Sequence, residues 1–215
     1  MRRLILAAIG AAAAIVVMTP MVASAATTDV LTITKVGGTN VAVGAKLSAS
    51  LKSGTDAVFS DGTEGSVSCA KSTVTETVKT NPAAPGTAKL SITKLTLSKC
   101  TASISGITVT VKSVTDYKPP FKATVSDATG FPVTVTKPGF VVVASADGET
   151  VTCTYQAATI TGAASNTGSA VAFTDQAFTV VSGSNSLCPS GGDLTVTYAP
   201  VKDKSVTGNP KVFVN

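Results

Sequence analysis

A chain of 215 residues with 17 Lys and Arg, 12 Asp and Glu, no histidine and no tryptophan excludes several kinds of chemistry at once. Without histidine there is no Ser-His-Asp or Cys-His hydrolysis, no imidazole-ligated zinc and no imidazole acid-base catalysis. Arg2 and Arg3 are the only arginines and the lysines are scattered singly from Lys35 to Lys211, so no clustered phosphate-reading surface exists and no nucleic acid partner is expected.

Residues 1–25 read as a secretory signal peptide. Met1-Arg2-Arg3 precedes an apolar run from Leu4 to Met18, and Ala23-Ser24-Ala25 supplies an Ala-x-Ala ending with cleavage after Ala25. The apolar run is too short for a membrane span. Setting it aside leaves 15 lysines (17 less Arg2 and Arg3) against 12 acids, a net charge of about +3. No further apolar segment, no cysteine for lipid attachment after Ala25 and no sorting tail at Lys211 to Asn215 follow. The expectation is a secreted protein, extracellular or cell-wall associated, with no membrane span in its mature form.

The remainder, rich in Thr, Val, Ser, Ala and Gly, is written in period-two alternation. Leu31-Thr32-Ile33, Ile107 to Val111, Val133-Thr134-Val135 and Leu194 to Tyr198 put apolar side chains on one face and threonines on the other, as half-buried antiparallel strands require. No amphipathic helix is expected. The fold class is all-β, an antiparallel β-sandwich built from two related, disulfide-stapled repeats.

The repeat rests on a phrase that occurs twice. Leu47 to Cys69 aligns with Phe131 to Cys153 with one short gap, so that Asp61-Gly62 with Glu64 answers Asp147-Gly148 with Glu149. Asp-Gly followed by Val-x-Cys reads as a hairpin turn leading into an inward-facing strand. Farther on, Leu90 to Leu97 answers Val171 to Val180, each run leads to a cysteine (Cys100, Cys188), and Ile107 to Val111 answers Leu194 to Tyr198. Within both long strands the apolar spacing takes an odd step, Ile92 to Leu95 and Phe173 to Phe178. An odd step changes faces, so a bend or bulge is expected at Thr93-Lys94 and at Thr174 to Ala177. The halves span 26–118 and 119–215, as two tandem sandwiches or, favoured by the short Tyr117-Lys118-Pro119-Pro120 link, one pseudo-symmetric sandwich.

Four cysteines in an exported chain allow three connectivities. The repeat favours Cys69 with Cys100 and Cys153 with Cys188. Their spacing is too wide for a metal knuckle, so no metal ligands or cofactors are expected. The carboxylates at the two turns invite comparison with a glycosidase pair or a calcium loop, but they sit beside their own hairpins and two acids per loop fall short of a calcium ligand set. Gly183 to Ser186 and Ser190 to Gly192 adjoin a strand rather than a helix, which does not suit phosphate binding. No catalytic residues emerge. For a ligand or partner, the candidate groove lies at the junction of the halves, with Tyr117, Phe121 and Tyr155 as its residues.

Asn81-Pro82-Ala83-Ala84-Pro85-Gly86-Thr87-Ala88, with Val151-Thr152-Cys153-Thr154-Tyr155-Gln156-Ala157 and Gly162 to Asn166, resembles small secreted proteins of filamentous actinobacteria that are known mainly by their signal sequence. The resemblance implies an exported bacterial protein and carries no activity or site residues. Immunoglobulin-like domains are a weaker comparison, because their tryptophan and tyrosine corner are missing. The functional expectation is a non-catalytic extracellular or envelope-associated protein that binds a surface polymer, a protein partner or itself. The alternative is a small-ligand carrier or an inhibitor of a secreted enzyme, working through the groove or the loop from Asn81 to Thr87.

Overall fold

The computed structural model describes residues 27–62, 65–104 and 106–215; the expected signal segment, its cleavage point and Glu64 lie outside them. The described residues contain no helix. In chain order the strands are β1 (Leu31–Ile33), β2 (Thr39–Asn40), β3 (Lys46–Ser50), β4 (Ala57–Ser60), β5 (Gly65–Thr80), β6 (Thr87–Ile104), β7 (Val109–Asp116) and β8 (Phe121–Ser126). They continue as β9 (Pro132–Thr136), β10 (Gly139–Ala146), β11 (Glu149–Gln156), β12 (Thr159–Ser165), β13 (Ala170–Val180), β14 (Gly191–Tyr198), β15 (Lys202–Asp203) and β16 (Val212–Val214). The all-β antiparallel sandwich expected from the alternation is the observed fold.

The two layers are joined at both edges, because the ladders close on themselves. In one ring β4 pairs with β5, β5 with β6, β6 with β7, β7 with β10, β10 with β11, β11 with β13, β13 with β14, and β14 returns to β4. A second ring runs β3, β5, β6, β8, β9, β12, β13 and β14, and the bridge from Leu51 to Tyr198 closes it. Closure leaves few unpaired strand edges. Strands β5, β6, β13 and β14 belong to both rings, and each ring takes strands from 26–118 and from 119–215.

A strand serves both rings by using its two faces. On β5, Val67 faces the interior of the first ring, whereas Val74 and Glu76 face that of the second; odd and even positions point to opposite sides of a strand. Where the apolar spacing takes its odd step, a bulge absorbs it. Lys94 pairs with Thr75 and Ile92 with Glu76, leaving Thr93 as the extra residue. On β13 the register slips between Phe173 and Gln176. Both irregularities fall where the sequence places them, and the consequence is that Ile92 and Leu95 stay in the same interior. The Leu95 N–H beside the first bulge donates to Asp116 Oδ2 at 3.0 Å.

Three ladders have counterparts when the halves are exchanged: β4 with β5 corresponds to β10 with β11, β7 with β10 to β14 with β4, and β8 with β9 to β15 with β3. The same holds for two clasps on the small sheet that β1 forms with β2 and β16. Asn81 Nδ2 donates to the Leu31 and Val41 carbonyls at 2.9 Å each, and its Oδ1 accepts from Leu31 N at 2.8 Å. Asn166 does likewise to Val214, donating to its carbonyl at 2.8 Å and accepting from its N–H at 2.9 Å. The loop from Asn81 to Thr87, considered above as a working loop, therefore begins with a structural clasp. Disulfides join Cys69 to Cys100 and Cys153 to Cys188, the pairing the repeat favours.

Candidate functional site

The first ring encloses a chamber of about 630 Å³, within the range of small-molecule sites. Its aliphatic walls are Val67 of β5, Val111 of β7, Val142 and Ala144 of β10 and Val151 of β11. Small and β-branched side chains at alternate positions produce both the strands and the space, since they line the interior without filling it. Phe59 and Tyr155 border the closed end. Their ring centroids are 4.8 Å apart, and Phe140 lies 5.2 Å from both Phe59 and Phe178. Phe178 lines the second interior, so this aromatic cluster is a partition between the two cavities. Its edge-to-face and tilted contacts add to the stability that the buried ring area provides.

Apolar side chains also stand at the open end. Ile107 and Leu187 line the chamber while remaining 43% and 62% exposed. Leu187 belongs to the loop between β13 and β14, and Cys188 beside it is tied to Cys153 in the chamber wall. The disulfide holds that lip in place.

Three carboxylates border the chamber: Asp61, Asp147 and Glu149. Asp147 and Gly148 both have positive φ, 48° and 91°, as a two-residue type I′ hairpin requires. Asp147 Oδ1 accepts from Thr108 N at 3.3 Å and Asp61 Oδ1 from Gly65 N at 3.0 Å. Asp61 lies two residues beyond Phe59, and Glu149 shares its strand face with Val151, Cys153 and Tyr155, all of which line the chamber. Burial, with Asp61's charge adding to it, pushes the Tyr155 hydroxyl up to about 12. Among the described residues no three Asp, Glu, Cys or His side chains are placed to hold a metal ion together.

The second interior is smaller, about 110 Å³, and almost wholly apolar. Tyr198 bonds to Ser72 there, Oη to Oγ at 2.8 Å, and burial pushes its hydroxyl up to about 12. Glu76 is the charged side chain that lines it, and burial raises its carboxyl to about 7.

The three residues of the expected groove line three different places. Tyr117 borders a polar surface depression with Thr152, Thr154 and Ser184. Phe121, 4% exposed, lines the second interior, and Tyr155 forms the chamber's closed end. The chamber itself escapes a reading by residue type, because its walls are ordinary Val and Ala and only ring closure turns them inward together. The available signal is the twin Asp-Gly turns, which bring Asp61 and Asp147 to the same cavity.

No protein family model, curated protein or solved structure matches the chain.

Proposed function

We propose that the chain is an exported, non-catalytic binding protein that carries a small, largely apolar molecule in the chamber of the first ring. The observation that carries this reading is a chamber of about 630 Å³ with aliphatic walls, an aromatic end and exposed apolar lips. Each Å² of apolar ligand surface removed from water contributes roughly 25 cal/mol. Two disulfides fit an oxidising, extracellular compartment, as does the signal-like opening of the sequence. The matching pairings and asparagine clasps support an internal duplication in which the second interior is the partner of the chamber.

The test is a fluorescence titration with the neutral apolar dye N-phenyl-naphthylamine. The wild-type protein is expected to bind it saturably at one site. Ala102→Phe, which projects a ring from β6 into the chamber, is expected to weaken binding at least about tenfold. Ile107→Ser with Leu187→Ser, at exposed positions that leave the core intact, is expected to weaken it several-fold. Absence of binding, or equal binding by all three proteins with unchanged circular dichroism, contradicts the carrier reading.

A further inference from the structure

Resting on the carrier reading, we infer that the chamber takes an amphipathic cation: an apolar body lying along the walls with a protonated amine or other cationic head at the open end. The juxtaposition behind this is an apolar chamber whose charged lining residues, among those described, are Asp61, Asp147 and Glu149, all negative.

The sign runs against the composition of the whole. Beyond the first 25 residues the chain carries more lysines than acids, yet among the described residues no lysine lines the chamber. The placement suits an extended ligand. Glu149 and Tyr155 lie six positions apart on one face of β11, which at the rise of a β-strand is about 20 Å from open to closed end. An apolar tail on Phe59 and Tyr155 would therefore leave its head at Asp147 and Glu149, with Asp61 nearer the aromatic end.

The carboxylates are also held in position. Asp61 Oδ1 accepts from the Gly65 N–H across its own turn and Asp147 Oδ1 from the Thr108 N–H just before β7, which fixes the position of each charge. The three carboxylates border one cavity and set a negative field there. Low-dielectric walls concentrate such a field along a cleft. A fatty carboxylate or alkyl sulfate would meet like charge there, whereas an alkylammonium meets opposite charge and keeps its head partly hydrated.

Asp147 and Glu149 are exposed, so each contributes a few-fold in affinity rather than orders of magnitude. Together the three are expected to favour a cationic over a neutral head by about tenfold. The experiment is displacement of N-phenyl-naphthylamine from the intact, disulfide-bonded protein by dodecylammonium, dodecanol and dodecanoate, at low and at high salt. The expected order of affinity is ammonium, alcohol, carboxylate, with the spread narrowing as salt screens the opening. In Asp147→Asn with Glu149→Gln, the ammonium-to-alcohol ratio is expected to fall from about tenfold to about two- to threefold. Dodecanoate binding as tightly as dodecylammonium, or a ratio unchanged in the double variant, overturns the cationic assignment and leaves the carrier reading standing. Failure of all three compounds to bind overturns both.

Discussion

Glu76 is the clearest case of a single side chain set against its surroundings. It sits on β5 between Thr75 and Thr77, where alternation calls for an apolar inward residue, and it lines both the second interior and a small adjoining cavity. Burial raises its carboxyl from 4.5 to about 7. The folded protein therefore binds this proton more tightly than the unfolded chain, and stability falls as pH rises from about 4.5 to about 7. The full displacement corresponds to ~3 kcal/mol. Glu76→Gln is expected to leave stability unchanged at about pH 4 and to raise it by ~3 kcal/mol at about pH 8.5, measured by urea unfolding. An equal effect at both pH values, or none, contradicts the buried placement. At this scale the sequence is readable where partners are near. The Asp-Gly turns follow from local conformation, but the Asn81 clasp depends on Leu31 and Val41, 50 and 40 positions away, and nothing in the local sequence names them.

At the scale of elements, the bulge on β6 explains how an irregular apolar spacing coexists with a continuous strand. Ile92 points inward, Thr93 is surplus, and Leu95 returns to the same interior. Deletion of Thr93 leaves Ile92, Lys94 and Leu95 in plain alternation, so every later side chain keeps its face. The expected cost is about 1–2 kcal/mol, for the lost bend and the Asp116 contact. Deletion of Thr96, two residues past the bulge region, reverses the faces of the remaining strand and is expected to prevent folding. Comparable losses for the two deletions, measured by thermal unfolding, contradict this reading of the register. The bulges were legible because parity is a local property of the sequence.

The two disulfides make different contributions as elements of the fold. They span sequence separations of 31 and 35, and each is worth ~3–4 kcal/mol in the chain-entropy model. Cys153 and Cys188 line the chamber and hold its lip, whereas Cys69 and Cys100 pair across the β5–β6 ladder. Replacement of either pair by serine is expected to lower stability by a similar amount, but only Cys153→Ser with Cys188→Ser is expected to weaken dye binding as well. Equal loss of binding in both double variants separates the lip from the site and contradicts its role.

In the whole molecule, two interiors lie on opposite faces of β5 and β6 and are divided by the aromatic cluster of Phe59, Phe140, Tyr155 and Phe178. The class of fold and the cysteine pairing could be read from alternation and internal similarity. Ring closure could not, because it depends on β7 meeting β10 and β14 meeting β4, contacts between halves that alternation does not encode. The candidate site was legible only in fragments for the same reason. Tyr155 was singled out, but Tyr117 and Phe121, chosen with it for their position near the junction, point into other spaces, while the Val and Ala walls carry no mark until the ring brings them together.

Native mass spectrometry of the folded, disulfide-bonded protein reads out whether the first ring's chamber holds a ligand. Mixed with dodecylammonium below its micelle concentration, the wild-type protein is predicted to show one bound molecule per chain, and Ala102→Phe, with an unchanged charge-state distribution, to show little or none. Equal occupancy in the two proteins, or no adduct in either, would rule out a ligand site in this chamber.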